Sequence, residues 1–174
     1  MDYSSLSPER KAEIVSEVEN FARDMLNQYG ACAQVSFKAL ADYFKIDAND
    51  TAKAAFAFSG GIAGTTLGPC GGLAGCVLFI GYFYGRDAGD MSGEPNPKYN
   101  ELCTELFNKF NEANNGIRCR DVQVHNVGQY FDMTTDEGHE QYGALGGHEK
   151  CADVVAQACG WVADMIVRGD LVIE

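Results

Sequence analysis

Seven cysteines are spread along 174 residues, and three of them stand where a turn gives way to a helix. Cys70 follows Pro69 and precedes Gly71-Gly72, Cys32 follows Tyr29-Gly30-Ala31, and Cys119 follows Asn115-Gly116-Ile117. Backbone N–H groups and the macrodipole at a helix start favour a thiolate over a thiol. The glycines after Cys70 would let a cluster, a second sulfur or a ligand approach the backbone. Arg118 and Arg120 flank Cys119, and their charges would also lower a thiol pKa. Thiols in such surroundings do redox chemistry or bind soft metals. The plain alternative for Cys70 is a cysteine tolerated in a tight loop.

The other four cysteines read differently. Cys103 lies between Leu102 and the Leu106/Phe107 pair, Cys159 between Val155 and Val162, and Cys76 in the most apolar run of the chain. Buried free cysteine behaves as a small hydrophobe, and these three read as core. Cys151 sits near the start of the last helix and fits its apolar stripe, so by itself it would also be core. The successive intervals between Cys32, Cys70, Cys119 and Cys151 are 38, 49 and 32 residues, with no CxxC pair. Zinc ribbons and bacterial ferredoxins place their ligands in close pairs. Spacing alone therefore does not join the four. His125, His139 and His148 lie in or beside C-terminal loops at no metal-ligand spacing and read as solvated, although His148 shares a helix face with Cys151.

The elements that must position these thiols are helical. Ser7-Pro8-Glu9 is a helix start, and Ile14, Val18, Phe21 and Met25 repeat at helical spacing up to Gly30. Further helices are expected over 32–44, 51–58, 71–84, from Asn96-Pro97 to Asn114, and over 148–167. Residues 54–85 carry no charge and nine glycines, and the helix over 71–84 is apolar on every side, which predicts burial at the centre. The fold expected is all-α: a single domain over 1–174, with about six helices around that central glycine-rich helix. Residues 132–147 show no period and read as a long loop.

Composition narrows the partners. A formal charge of −12 argues against nucleic acid and anionic membranes. The charge-free run is interrupted at Ser59-Gly60-Gly61 and from Thr65 to Pro69, so neither half suits a membrane span. The first residues carry no basic region or apolar stretch of a secretory signal. An odd number of cysteines in a chain of this size suits a reducing, cytoplasmic setting better than a disulfide framework.

Taken together, these elements resemble a family of small redox-active proteins named for its cysteine pattern, the C_GCAxxG_C_C family. The matching pieces are Cys32-Ala33-Gln34, the glycine-rich Ser59 to Gly64, Cys70-Gly71-Gly72-Leu73-Ala74-Gly75, Arg118-Cys119-Arg120-Asp121 and Cys151. Gly72 departs from the family's usual alanine, and the 132–147 stretch looks longer than usual. The resemblance implies that Cys32, Cys70, Cys119 and Cys151 are the shared thiols, which promotes Cys151 from the core. A related module accompanies an iron–sulfur cluster in the split-Soret type of cytochrome.

The leading expectation is accordingly a cytoplasmic electron-transfer protein whose four thiolates ligate an iron–sulfur cluster, with Gly71 and Gly72 offering backbone to the cofactor. A thiol–disulfide redox protein with Cys70 as nucleophile is the second reading. Zinc on the same four ligands is the third, and a non-enzymatic helical interaction protein with structural thiols is the fourth. The expected partner is a redox protein of unstated kind. A homodimer is left open, as is the choice between enzyme and carrier.

Overall fold

Ser7 and Pro8 start the first helix as their chemistry dictates. In the computed structural model, which describes residues 3–173, Ser7 Oγ accepts the Arg10 N–H at 3.3 Å at the head of α1 (Pro8–Tyr29). Gly30, at φ +67°, closes that helix with its N–H on the Leu26 carbonyl at 2.9 Å. Then follow α2 (Cys32–Tyr43), α3 (Asn49–Ala55) with a 3-10 turn at Phe56–Phe58, and α4 (Gly71–Tyr84). The second half holds α5 (Tyr99–Asn114), α6 (Cys119–Val127), α7 (Asp136–Ala144) and α8 (Gly147–Arg168). Met1, Asp2 and Glu174 lie outside the described residues.

The fold is all-helical and a single domain, with no strand among the described residues. It has eight α-helices there, where the sequence suggested about six. The two additions are α6 and α7. Helix α7 lies inside the stretch read as a loop: Thr135 caps it, accepting the Gly138 N–H at 3.1 Å. Only Gly138 and Tyr142 of α7 are buried, one turn apart, so no longer apolar period announces it.

The expected central helix also needs correction. Helix α8 is the element that touches most of the others, packing against α1, α2, α4, α5, α6 and α7. Its small residues Ala152, Ala156, Gly160 and Ala163 are buried and let neighbours close in from several sides. Helix α4 buries Leu73, Cys76, Phe79 and Ile80, but Tyr82 is 44 % exposed and Val77, Leu78 and Phe83 are half-buried. An apolar circumference was not enough to place it at the centre, because aromatic rings tolerate a wet edge.

Aromatic edges tie helices together within each half of the chain. Phe37 of α2 meets Phe79 of α4 at 5.7 Å between ring centroids, and Phe110 of α5 meets Trp161 of α8 at 6.4 Å. No helix among the described residues is long and apolar enough to cross a membrane.

Candidate functional site

Glycine-rich backbone builds the site. From Gly60 to Gly64 every residue has positive φ, including Ile62 at +70° and Ala63 at +50°, and Thr66 follows at +63°. Ile62 and Thr66 are β-branched, so this left-handed path is strained, and hydrogen bonds hold it. Thr66 N–H bonds to the Gly60 carbonyl at 2.8 Å, Gly68 N–H to Gly61 at 3.0 Å, and Thr65 Oγ1 to Gly61 at 2.6 Å.

The coiled loop then fastens the start of α4 to the start of α6. Cys70 N–H donates to the Ile117 carbonyl at 2.7 Å, Cys119 N–H to Gly68 at 3.0 Å, and Arg120 N–H to Thr66 at 2.9 Å. Residues 70 and 119, 49 apart in the chain, are thereby held side by side. Cys32 reaches them from the head of α2: a Cβ on Gly71 would land on the Cys32 sulfur, and lie 2.7 Å from the Ala33 nitrogen. Cys151, on the first turns of α8, is close enough to Cys32 for each thiol to shift the other's acidity. Cys32, Cys70, Cys119 and Cys151 all interact electrostatically within this one cluster.

The four thiols differ in acidity. Cys32 is the acidified one, lowered from the ordinary 9.0 to about 7. Its largest cause is the Cys151 thiol; burial opposes, and the N–H groups of Gly60, Ala33 and Gly71 add to the lowering. The Gly60 N–H donates to the sulfur at 3.4 Å. Cys151 is pushed well up, first by hydrogen-bonding to Cys32 and then by burial. The proton belongs to the pair, and backbone donors converging on Cys32 place the negative charge there.

Cys70, expected from its helix-start position to carry the thiolate, is pushed well up by burial and by the neighbouring Cys32 and Cys119. Cys119 is likewise pushed up to about 12, chiefly by burial. The flanking arginines do not rescue it. Arg118 is paired with Asp121 at 2.7 Å, and Arg120 lies over the Tyr130 ring at 4.6 Å.

The metal reading is overturned by the donor set. Ligands to zinc or a cluster must aim their lone pairs at shared metal positions about 2.3 Å from each sulfur. Among the described residues no group of three or more Cys, His, Asp or Glu side chains could hold a metal ion. Cys32 spends its sulfur on Gly60 N–H and Cys151, and Gln123 Nε2 donates to Cys119 at 3.7 Å. The iron–sulfur cluster, the zinc alternative and a ligand role for Cys32, Cys70, Cys119 and Cys151 are corrected accordingly. Gly71, offered from sequence as cofactor-binding backbone, makes room for Cys32, and Gly72 packs toward Val154 and Val155 of α8.

Two residues at the site escaped sequence reasoning. Tyr142 of α7 is buried, and packs edge-on against Phe131 at 5.6 Å and His148 at 5.1 Å. Burial first, and then the charges of Cys151, Cys119 and Cys70, raise its pKa. Nothing in the aperiodic 132–147 stretch points to it. Gln123 is one helical turn beyond Cys119, and that i, i+4 spacing was a usable signal. His125, His139 and His148 are exposed, with the last two stacked at 6.4 Å.

Gln123 is a clamp as well as a donor, because its Oε1 accepts the buried Phe131 N–H at 2.8 Å. Gln123→Leu leaves that N–H without a partner and should cost about 2 kcal/mol. It should also move the Cys119 thiol further up, since its one favourable side-chain donor is gone. Urea unfolding and the pH dependence of Cys119 alkylation check both; a variant within about 0.5 kcal/mol of wild type removes the clamp.

The fold and site define a helical protein with a buried, electrostatically coupled set of thiols. A family model described as "Putative redox-active protein (C_GCAxxG_C_C)" matches residues 30–165, and the chain belongs to that family. An uncharacterized protein of Archaeoglobus fulgidus is 32% identical over 141 residues, spanning 78% of this chain and 83% of the relative. No solved structure matches.

Proposed function

We propose that this protein is a metal-free thiol–disulfide redox protein in which Cys32 attacks and Cys151 resolves. The observation that carries the reading is the Cys32–Cys151 pair, with Gly60 N–H on the Cys32 sulfur. Near neutral pH such a pair holds one proton between two sulfurs, so a nucleophile and its resolving thiol are ready together. The substrate class is a disulfide, on a protein or a small molecule. Cys32 thiolate attacks one sulfur of the substrate, forming a mixed disulfide and expelling the other sulfur as a thiolate, which takes the Cys151 proton. Cys151 then attacks the Cys32 sulfur, closing the Cys32–Cys151 bond and expelling the remaining substrate sulfur as a thiolate. Two electrons pass from the protein to the substrate, and the reverse sequence oxidises a dithiol.

Cys70 and Cys119 sit beside the pair as neutral thiols, and their raised pKa values keep further negative charge away from Cys32. Free thiols throughout suit a reducing compartment, which supports a cytoplasmic setting.

The test is equilibration of the full-length protein over a range of reduced-to-oxidised glutathione ratios. Acid quenching, alkylation and peptide mapping follow. The expected outcome is a reversible two-electron transition with Cys32 linked to Cys151, absent from Cys151→Ser. A protein whose Cys32 and Cys151 stay unlinked over the whole range ends the reading. Cys103, half-buried on α5 with Tyr99 as its partner, serves as the internal control.

A further inference from the structure

The loop that covers the thiols turns apolar side chains outward. Phe56 and Leu67 are 58 % and 62 % exposed, and Phe58 and Ile62 between them are exposed as well. They form one patch, because the loop folds back on itself. The N–H groups of Ile62 and Ala63 donate to the Phe58 and Ala57 carbonyls at 3.3 and 3.0 Å, and the Ile62 side chain lies against Gly68, next to Leu67. Single apolar residues scattered over a surface need no explanation, but four on one short loop do. Ile62 sits at φ +70°, where asparagine or glycine would be less strained, so its apolar side chain is held there against the backbone's preference.

The inner side of the same loop is the thiol site. Gly60 N–H sits on the Cys32 sulfur at 3.4 Å, and the Ser59 hydroxyl accepts the Ala33 N–H at 3.3 Å. Gly61 passes so close that a Cβ on it would lie 2.7 Å from Cys119 Cβ. Cys32 is 8 % exposed, so a disulfide colliding at random meets little sulfur, whereas one held against the loop is presented to it repeatedly.

Charge decides what such a patch would hold. The chain carries −12, yet residues 54–85 carry no charge. On the segments fastened to the far end of the loop, Arg118 is paired with Asp121, Arg120 lies on Tyr130, and Asp132 accepts from Thr134. A small charged disulfide finds no counter-ion on the patch itself, while leucine and phenylalanine side chains find a surface they can desolvate.

We propose that this patch is the docking surface for a protein disulfide whose cysteine is flanked by apolar side chains, held there while Cys32 attacks it. This rests on the thiol–disulfide reading of Cys32 and Cys151 and names its substrate: a polypeptide segment rather than a small disulfide.

The experiment mixes reduced full-length protein with one of two synthetic peptide dimers, each joined by a single disulfide and capped to carry no charge. One peptide places leucine and phenylalanine beside its cysteine, the other serine and asparagine. Acid-quenched samples give the rate of peptide thiol release in a single turnover. The apolar peptide should react about tenfold faster at low concentration. Combining Phe56→Gln with Leu67→Gln should bring its rate down to that of the polar peptide. Both positions are more than half exposed, so the double variant should fold. Met91→Gln, 68 % exposed beyond the far end of α4, should keep the full margin.

Comparing the two peptides on wild type needs no variant. Equal rates there, or a margin that survives in the double variant, overturn this inference and leave the function reading standing. A wild-type dimer that the double variant turns into a monomer in sedimentation gives the patch to a second copy and overturns it too. So does flotation of wild type, but not the double variant, with neutral phosphatidylcholine vesicles. If neither peptide nor hydroxyethyl disulfide is reduced, the function reading and this inference fall together.

Discussion

At pH 7, a small uncharged alkylating reagent modifies Cys32 ahead of the other six cysteines, and Cys32→Ser loses that fast phase. The expected margin follows from ionisation. With its pKa lowered to about 7, Cys32 is half thiolate at neutral pH. An ordinary thiol at 9.0 is about one per cent ionised there, a difference of about fiftyfold in reactive form. Below pH 7 the rate should fall about tenfold per unit as the thiolate takes its proton. Cys70, Cys119 and Cys151 are all shifted the other way and stay silent across this range. Removing the partner is the sharper control: in Cys151→Ala the largest cause of the lowering is gone, and the Cys32 profile should move toward higher pH. A profile centred near 9 in wild type would falsify the assignment.

The same shifts set how stability varies with pH, and the two directions separate cleanly. Between about pH 7 and 9 the folded protein has released the Cys32 proton and the unfolded chain has not, so stability should rise with pH in that window. Lowering pH through about 7 removes the contribution. Above 9 the order reverses: unfolded thiols ionise while folded Cys119 keeps its proton to about 12, and stability should fall as pH rises. Cys70 and Cys151 act in the same sense. Stability of wild type, read by denaturant unfolding, should therefore peak near pH 9, and Cys32→Ser should lose the rise on the acid side.

How much of this was legible depends on what kind of signal each residue leaves. Helices with capping residues and a long apolar stripe, such as α1 with Ser7 and Gly30, declare themselves because local chemistry and tertiary burial agree. Helix α7 does not, since its anchor is a ring contact between Tyr142 and Phe131 that no period encodes. The cysteines at helix starts were visible as a class, and the family resemblance selected Cys151. Which thiol would ionise was not visible. A helix start lowers a thiol pKa only while the sulfur keeps its hydration, and Cys70 loses more to burial than the N–H groups of Gly72 and Leu73 return. The donors to Cys32 come from residues 28 and 39 positions away, Gly60 and Gly71, and that convergence is tertiary. The charge of Arg118 went to Asp121 for a similar reason: an i, i+3 neighbour on the helix outcompetes a desolvated thiol.

Gly71→Ala should be strongly destabilising, because its methyl strikes the thiol site itself. An added Cβ would fall on the Cys32 sulfur and lie 2.7 Å from the Ala33 nitrogen, and the second of these is backbone at the head of α2 that cannot swing aside. Relief requires α4 and α2 to part, yet Gly75, one turn on, already packs against the Ala33 carbonyl and lies where a Cβ would sit 2.7 Å from Ser36 Cβ. The expected cost is about 3 kcal/mol, or a fall in Tm of about 10 °C for a chain of this length. Gly81→Ala on the same helix is the matched control, because its added methyl meets only the Tyr99 ring at 3.9 Å and should gain about 0.5–1 kcal/mol from helix propensity. The two glycines thus separate close approach from propensity. In whatever fraction of Gly71→Ala stays folded, Cys32 is pushed off Gly60 and Cys151, so its alkylation profile should move up from about 7 toward 9.0. Wild-type stability and an unchanged profile in Gly71→Ala would mean that the α2–α4 contact does not hold Cys32 in place, and the acidity of that thiol would need another source.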